Sequence, residues 1–386
     1  MSLKSPYTER SLVSITKCEN YERSSVEVAV HKSLECLGGI GQYVKPNQTV
    51  LLKPNVLMGA HPDAAITTHP EVLRAVIKEV QSVGAIAVVG DSPGLENMRS
   101  AMDKCKYTEI FEELSVKAVD FKASDANVKY TGKLLHNFNI AKIALEADAI
   151  INLPKLKTHG LTTYTGCIKN MFGTICGKEK AQMHVRFQGI EAFSEMLAEL
   201  YSNVKPVLNI MDGIIAMEGN GPSNGNPKVA NVIISGADGV ALDTIACKII
   251  GVEINKVPPV MAAYNAGIGQ GDILKIDIIG ANIEEVTLDD FLVPKFKKLG
   301  FKLLRADGAW GNFLKSIATT RPTVNSKCKK CGICVKSCPV EAIIIDDLKN
   351  KASIKHEACI RCFCCQELCP HDAINLKTPL IAKFFK

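Results

Sequence analysis

Short apolar runs alternate along much of the chain with longer stretches in which apolar residues recur every three or four positions. Gln48–Lys53 (QTVLLK), Ala85–Gly90 (AIAVVG), Ala149–Leu153 (AIINL), Val207–Met211 (VLNIM), Val232–Ser235 and Ile276–Ile279 have the length and composition of buried strands. Pro70–Val83, Gly189–Tyr201, Gly239–Ile250 and Pro258–Ala266 have helical spacing instead. Strands alternating with helices predict an α/β domain, with a mainly parallel sheet and flanking helices. Ligands of such folds sit at the carboxyl ends of the strands.

Those ends are polar and turn-rich: Lys53-Pro54-Asn55, Gly90-Asp91-Ser92-Pro93-Gly94, Pro154-Lys155-Leu156-Lys157-Thr158-His159-Gly160 and Asp212-Gly213. The expectation is that they converge on one cleft. Lys53, Asn55, Lys155, Lys157 and Lys169 would bind an anion there. His159 would supply a proton, with Asp91 and Asp212 at facing strand ends. Thr162–Phe172 reads as a helix whose Thr-rich start points its N-terminus at the ligand. The stretch Glu218–Pro227 is rich in Gly, Asn and Pro and reads as a lid or cleft wall, with Glu218 a further acid/base candidate. Asp238 reads first as the cap of the next helix. There is no Walker-type motif, and Gly38-Gly39-Ile40-Gly41 precedes a strand where a dinucleotide fingerprint would follow one, so it reads as a turn.

Composition adds one unusual number. The chain has 386 residues, 47% hydrophobic and 22% charged, which is ordinary globular usage, but it contains 15 Cys. Eight fall in two matching runs, Cys328-x2-Cys331-x2-Cys334-x3-Cys338-Pro339 and Cys359-x2-Cys362-x2-Cys365-x3-Cys369-Pro370. This is the bacterial ferredoxin signature for two 4Fe–4S clusters, and over Ser326–Leu376 the chain resembles that domain closely. Three thiolates at x2 spacing line one loop, and the fourth reaches across. One cluster would use Cys328, Cys331, Cys334 and Cys369; the other would use Cys359, Cys362, Cys365 and Cys338. Zinc knuckles would instead pair separated C-x2-4-C units. Cys364 reads as a bystander, and Cys18, Cys36, Cys105, Cys167, Cys176 and Cys247 as buried thiols. His61, His69, His159 and His184 match no metal-site spacing.

The net charge of +6 is too small and too dispersed to argue for nucleic acid. No targeting signal and no membrane-spanning run of ~18 apolar residues is visible, so a reducing, cytoplasmic setting is expected. Basic and aromatic residues gather in Val293–Lys327, and the tail Leu376–Lys386 repeats that character. These stretches suit a linker helix, a docking surface for a redox protein, or contact with a membrane surface.

LLKPN (Leu51–Asn55), THPEV (Thr68–Val72), GDSPG, NLPKLKTHGLTTYTGCIKNMFG (Asn152–Gly173), MDGI (Met211–Ile214) and the GPSNGNP loop together resemble the family catalogued as domain of unknown function 362. The resemblance implies a core often joined to ferredoxin modules and carries no general reaction. The expected organisation is an α/β domain over residues 1–292, a basic linker over 293–325, a small α+β two-cluster ferredoxin-like domain over 326–376 and a tail over 377–386. The expected function is an iron–sulfur oxidoreductase passing single electrons to an anionic small molecule in the α/β cleft. The alternative is an electron-transfer protein whose α/β domain only docks partners.

Overall fold

The computed structural model describes residues 8–122, 127–136, 138–177, 179–294 and 320–377. Among the described residues the α/β domain has twelve strands: β1 Ser11–Lys17, β2 Thr49–Pro54, β3 Ile86–Asp91, β4 Lys117–Asp120, β5 Asn127–Tyr130, β6 Phe138–Ala141, β7 Ala149–Leu153, β8 Lys155–His159, β9 Thr163–Thr165, β10 Leu208–Glu218, β11 Asn226–Gly236 and β12 Ile276–Gly280. Ten of these form one sheet in the order β12-β1-β11-β10-β7-β2-β3-β4, with the β8–β9 hairpin joined to β10. The pairs β10/β7, β7/β2, β2/β3, β3/β4, β10/β8 and β1/β12 are parallel, while β1/β11 and β10/β11 are antiparallel. The sheet is thus mainly parallel, as its apolar runs predict.

Alternation along the strands builds a core on each face. Leu51, Val88 and Ile150 pack on one side. Val50, Leu52, Ala87, Val89, Ala149, Ile151 and Leu153 pack on the other. A strand sandwiched this way buries every side chain, which is why it reads as a continuous apolar run. The helix Pro70–Ser82 lays Val72, Leu73, Val76, Ile77 and Val80 on the second face. It starts with Pro at its first turn and with His69 Nδ1 accepting from the Glu71 N–H. Asp238 caps Gly239–Ile249 by accepting from the Val240 and Ala241 N–H groups.

Two expectations are corrected. Thr162–Phe172 is not one helix. Thr163–Thr165 is a strand paired to β8, and helical turns occupy only Cys167–Asn170 and Met171–Thr174. The run Thr-Thr-Tyr-Thr is β-branched and aromatic, which favours the pleated surface over a helix. Nor does the fourth strand end at Asp212. β10 runs on to Glu218 and turns back as β11, so the Gly/Asn/Pro stretch is the connection of a long hairpin.

The C-terminal domain is antiparallel and small: β13 Arg321–Val324 pairs with β16 Ile374–Lys377, and β14 Ile343–Asp346 with β15 Lys351–Ile354. Its pairing begins at Arg321, inside the stretch expected to be linker. Most of that basic stretch, 295–319, and the tail from 378 lie outside the described residues.

Candidate functional site

A cavity of ≈ 550 Å³ lies between the two domains. The α/β domain contributes Lys53, Asn55, Asp91, Ser92, Lys122, Lys157, Thr165, Lys169, Asn170, Phe172, Lys180 and His184; the C-terminal domain contributes Lys336, Ser337, Pro339, Cys364, Glu367 and Leu368.

Its floor is the carboxyl ends of β2 and β3. Lys53 Nζ lies 2.9 Å from Asp91 Oδ1 and donates to the Pro54 carbonyl, with both side chains almost fully buried. Asp91 also accepts from the Val56 and Ser92 N–H groups. Asn55 donates to Asn170, which donates in turn to Asn152. Gly173 must lack a side chain, because a Cβ there would collide with Asp91 and Lys53. Six lysines line the cavity against two carboxylates, Asp91 and Glu367, so the site is built for negative charge.

The lysines differ in state. Burial lowers Lys53, with Asp91 opposing. Burial, then Lys169, hold Lys157 well below the usual lysine range. Lys180 is lowered to about 7 by burial and donates to the Ser92 carbonyl. His184 stacks on Phe193, with ring centroids 4.3 Å apart, and burial lowers it to about 4.

Three expected site residues sit elsewhere. Lys155 and Asp212 form a buried pair, Nζ to Oδ2 2.7 Å, outside the cavity lining. Tyr21 donates to Asp212, which also accepts from the His69 N–H. Because β10 continues past Asp212, this pair lies within the sheet layer. His159 is fully buried on β8 and does not line the cavity either. Its Nδ1 accepts from the Leu161 and Thr162 N–H groups, which places the proton on Nε2. Nε2 lies 2.9 Å from Glu367 Oε1 of the C-terminal domain. Burial, then Lys169, lower His159 to about 4, so the ring is neutral. Burial would raise Glu367, but His159 and Lys169 outweigh it and hold its carboxyl well below the usual range. His159 thus joins the two domains.

More contacts close that junction. Gln366 Nε2 donates to Asn220 Oδ1 at 3.0 Å, Asn224 to the Gln366 carbonyl at 3.2 Å and Ser223 to the Glu367 carbonyl. Asn220 donates to Asp372 at 2.9 Å, and Leu368 packs on Gly94. The stretch read as a lid therefore holds the C-terminal domain. Glu218 is bonded to the Leu292 N–H instead of facing the cavity.

Cys328, Cys331, Cys334 and Cys369 surround one small cavity, and Cys338, Cys359, Cys362 and Cys365 another. Backbone N–H groups of Ala342, Ala352 and Ala373 point at the sulfurs of Cys338, Cys328 and Cys369 at 3.2, 3.4 and 3.3 Å. That donor set fits iron–sulfur clusters, whose charge such N–H groups stabilise. Among the described residues no group of three or more His, Cys, Asp or Glu is spaced for a single metal ion. Cys167 and Cys176 are buried away from the cavity, and burial pushes the Cys176 thiol up to about 12. Cys364 lines the interdomain cavity instead of either cluster cavity.

Glu367, Lys122, Lys336 and Thr165 carried no recognisable signal in the sequence. Lys180 and His184 lie in the lysine-rich stretch 155–184, without any mark of their placement.

Residues 50–248 match the family model described as domain of unknown function (DUF362), and residues 323–370 match a 4Fe-4S dicluster domain. A thylakoid-associated protein of Synechocystis sp. is 36% identical over 288 residues, spanning 73% of this chain and 88% of that protein. Among solved structures, the lactate racemase apoprotein of Thermoanaerobacterium thermosaccharolyticum aligns with a TM-score of 0.41 at 13% identity, over 62% of this chain and 56% of that one. A Thermotoga maritima protein aligns with a TM-score of 0.37 at 11% identity, over 58% and 57%. No helix among the described residues is long and apolar enough to cross a membrane.

Proposed function

Given that the chain belongs to the DUF362 family and ends in a 4Fe-4S dicluster domain, we propose that it is an iron–sulfur oxidoreductase acting on a small anion held between its two domains. The observation that carries this reading is the shared cavity: Pro339 and Cys364, each next to a cluster cysteine, lie in one wall, and five lysines of the α/β domain line the other. Two 4Fe–4S clusters, bound by the two cysteine sets, would supply electrons one at a time.

The chain's own residues account for the rest. Lys169, Lys180 and Lys336 attract and hold the anionic group. Lys53 is neutralised by Asp91 and shapes the floor. Lys180, lowered to about 7, is the cavity group best matched to giving a proton near neutrality, a role expected of His159 from the sequence. Phe172, Leu57 and Leu368 supply an apolar wall for the body of the substrate. Electrons from a redox protein enter at Cys331, which is exposed beside exposed Lys329 and Lys330.

The test is anaerobic reduction with dithionite, followed by EPR while small carboxylates and phosphates are added. Reoxidation by one class of anion, slowed about tenfold or more in Lys169→Ala, is the expected result, since a desolvated charge-assisted contact is worth roughly 1.5–3 kcal/mol. Reduced clusters that no anion reoxidises would leave an electron carrier.

A further inference from the structure

Lys157 is the one lysine on β8 whose environment matches none of the roles above. Its side chain is 1% exposed, yet it lines the interdomain cavity. Nζ donates to the Ile66 carbonyl at 2.6 Å. Among the described residues no carboxylate lies within ion-pairing distance, whereas Lys53 and Lys155 each hold an aspartate at 2.9 and 2.7 Å. Burying an ammonium beside a lone carbonyl is unfavourable, which shifts the group toward its neutral form. The surrounding charges act in the same sense overall. Burial and the nearby Lys169 and Lys155 disfavour the cation, while Glu367 and Asp91 only partly oppose them. Burial and the nearby Lys169 thus favour the neutral amine over the ammonium. In that form one N–H is engaged by Ile66 and the lone pair is free.

Two further buried groups wait in the same cavity. Thr165 stands directly opposite Lys157 in the β8–β9 ladder, so the two side chains share a face. Its hydroxyl is buried with no hydrogen-bond partner among the described residues, and so is Asn55 Oδ1. Both residues line the cavity. Buried polar atoms are rarely left unpaired unless a ligand or water satisfies them.

We propose that Lys157 is a covalent binding residue, forming an imine with a carbonyl-bearing anion such as a 2-oxo acid. This rests on the reading of the cavity as a site for small anions. The nitrogen lone pair attacks the carbonyl carbon, and the C=O π pair moves to oxygen. The Thr165 hydroxyl donates to that oxygen, and Lys169 holds the carboxylate. The two amine protons leave with the oxygen as water, and the C=N bond is formed. No oxidant or reductant is consumed. A desolvated, deprotonated lysine amine is the usual requirement for this chemistry.

The test is trapping on the intact, iron-loaded chain. Pyruvate and cyanoborohydride are added anaerobically near neutral pH, and the adduct is mapped by peptide mass spectrometry. One reduced adduct at Lys157 is expected, lost in Lys157→Met, a variant that fills the same buried space, and slowed in Thr165→Val. Labelling confined to Lys180 or to exposed lysines, with iron content normal, would overturn the assignment. The anion reoxidation assay is scored separately. Reoxidation without the Lys157 adduct would sink the imine and leave the oxidoreductase reading standing. The adduct without reoxidation would do the reverse.

Discussion

Asp212 and Lys155 show how a charged residue at a strand end can be structural. Each is almost wholly buried, and together with Tyr21 and the His69 N–H they form a closed polar cluster inside the sheet layer. Removing one member strands the other charge in a medium that cannot solvate it. Asp212→Ala is expected to cost about 3–5 kcal/mol of stability, read as a lowered denaturant midpoint. The reoxidation rate of the folded fraction should change little. A large rate loss at unchanged stability would return Asp212 to the site. The sequence offered no means of telling this pair from Lys53 and Asp91, which have the same residue types at equivalent strand ends and do line the cavity. The difference is that β10 extends beyond Asp212 and buries it, whereas β3 ends at Asp91.

At the scale of elements, the β10–β11 hairpin does two jobs. Its strands lie in the middle of the sheet, and its connection carries Asn220, Ser223 and Asn224 to the C-terminal domain. Gly221 lets the connection press on β8, for a Cβ there would collide with the Thr158 backbone. Its N–H also reaches the Thr158 hydroxyl. Gly221→Ala is expected to cost about 1–3 kcal/mol, as overpacking does, and to loosen the domain junction. Hydrogen exchange at 219–225 and 364–368 should rise while iron content stays constant. Unchanged exchange at 364–368 would show that the connection does not hold the domain. Six strands of the central sheet, β2, β3, β7, β10, β11 and β12, were legible from their apolar runs, whereas β1 and β4, flanked by polar residues, were not read from the sequence. The β8–β9 hairpin was hidden because Lys155, Lys157 and His159 are polar residues in a fully buried strand. Their burial depends on partners 50 or more residues away in the sequence, such as Asp212 for Lys155, 57 apart.

For the whole molecule, buried histidines set the response to acid. His69, His159 and His184 fall from 6.5 to about 4 in the folded state. Between those values the unfolded chain binds protons that the folded chain refuses, so stability is lost as the pH falls. Asp243 acts oppositely: burial raises it from 3.8 to about 6, despite the Cys167 and Ile168 N–H groups that it accepts, so its contribution weakens the fold as the pH rises through the same range. Three histidines against one aspartate leave a net loss of up to about 4 kcal/mol on going from neutral to mildly acid conditions. Melting followed by circular dichroism should show a lower Tm at pH 5 than at pH 7, with a shallower fall in His184→Phe. A flat profile would mean that these rings are protonated in the fold.

The interdomain cavity has a wall from each half of the chain, and that bears on how such a protein can be rebuilt or inherited. A foreign ferredoxin module with the same cysteine spacing would assemble its clusters, because those depend only on its own eight thiolates. It would still bring the wrong side chains to the positions of Glu367, Leu368 and Lys336, leaving His159 facing no carboxylate and the cavity without its far wall. The two modules are separable as folds but not as parts, and the smallest exchangeable piece is the domain pair together with the hairpin connection that fastens it.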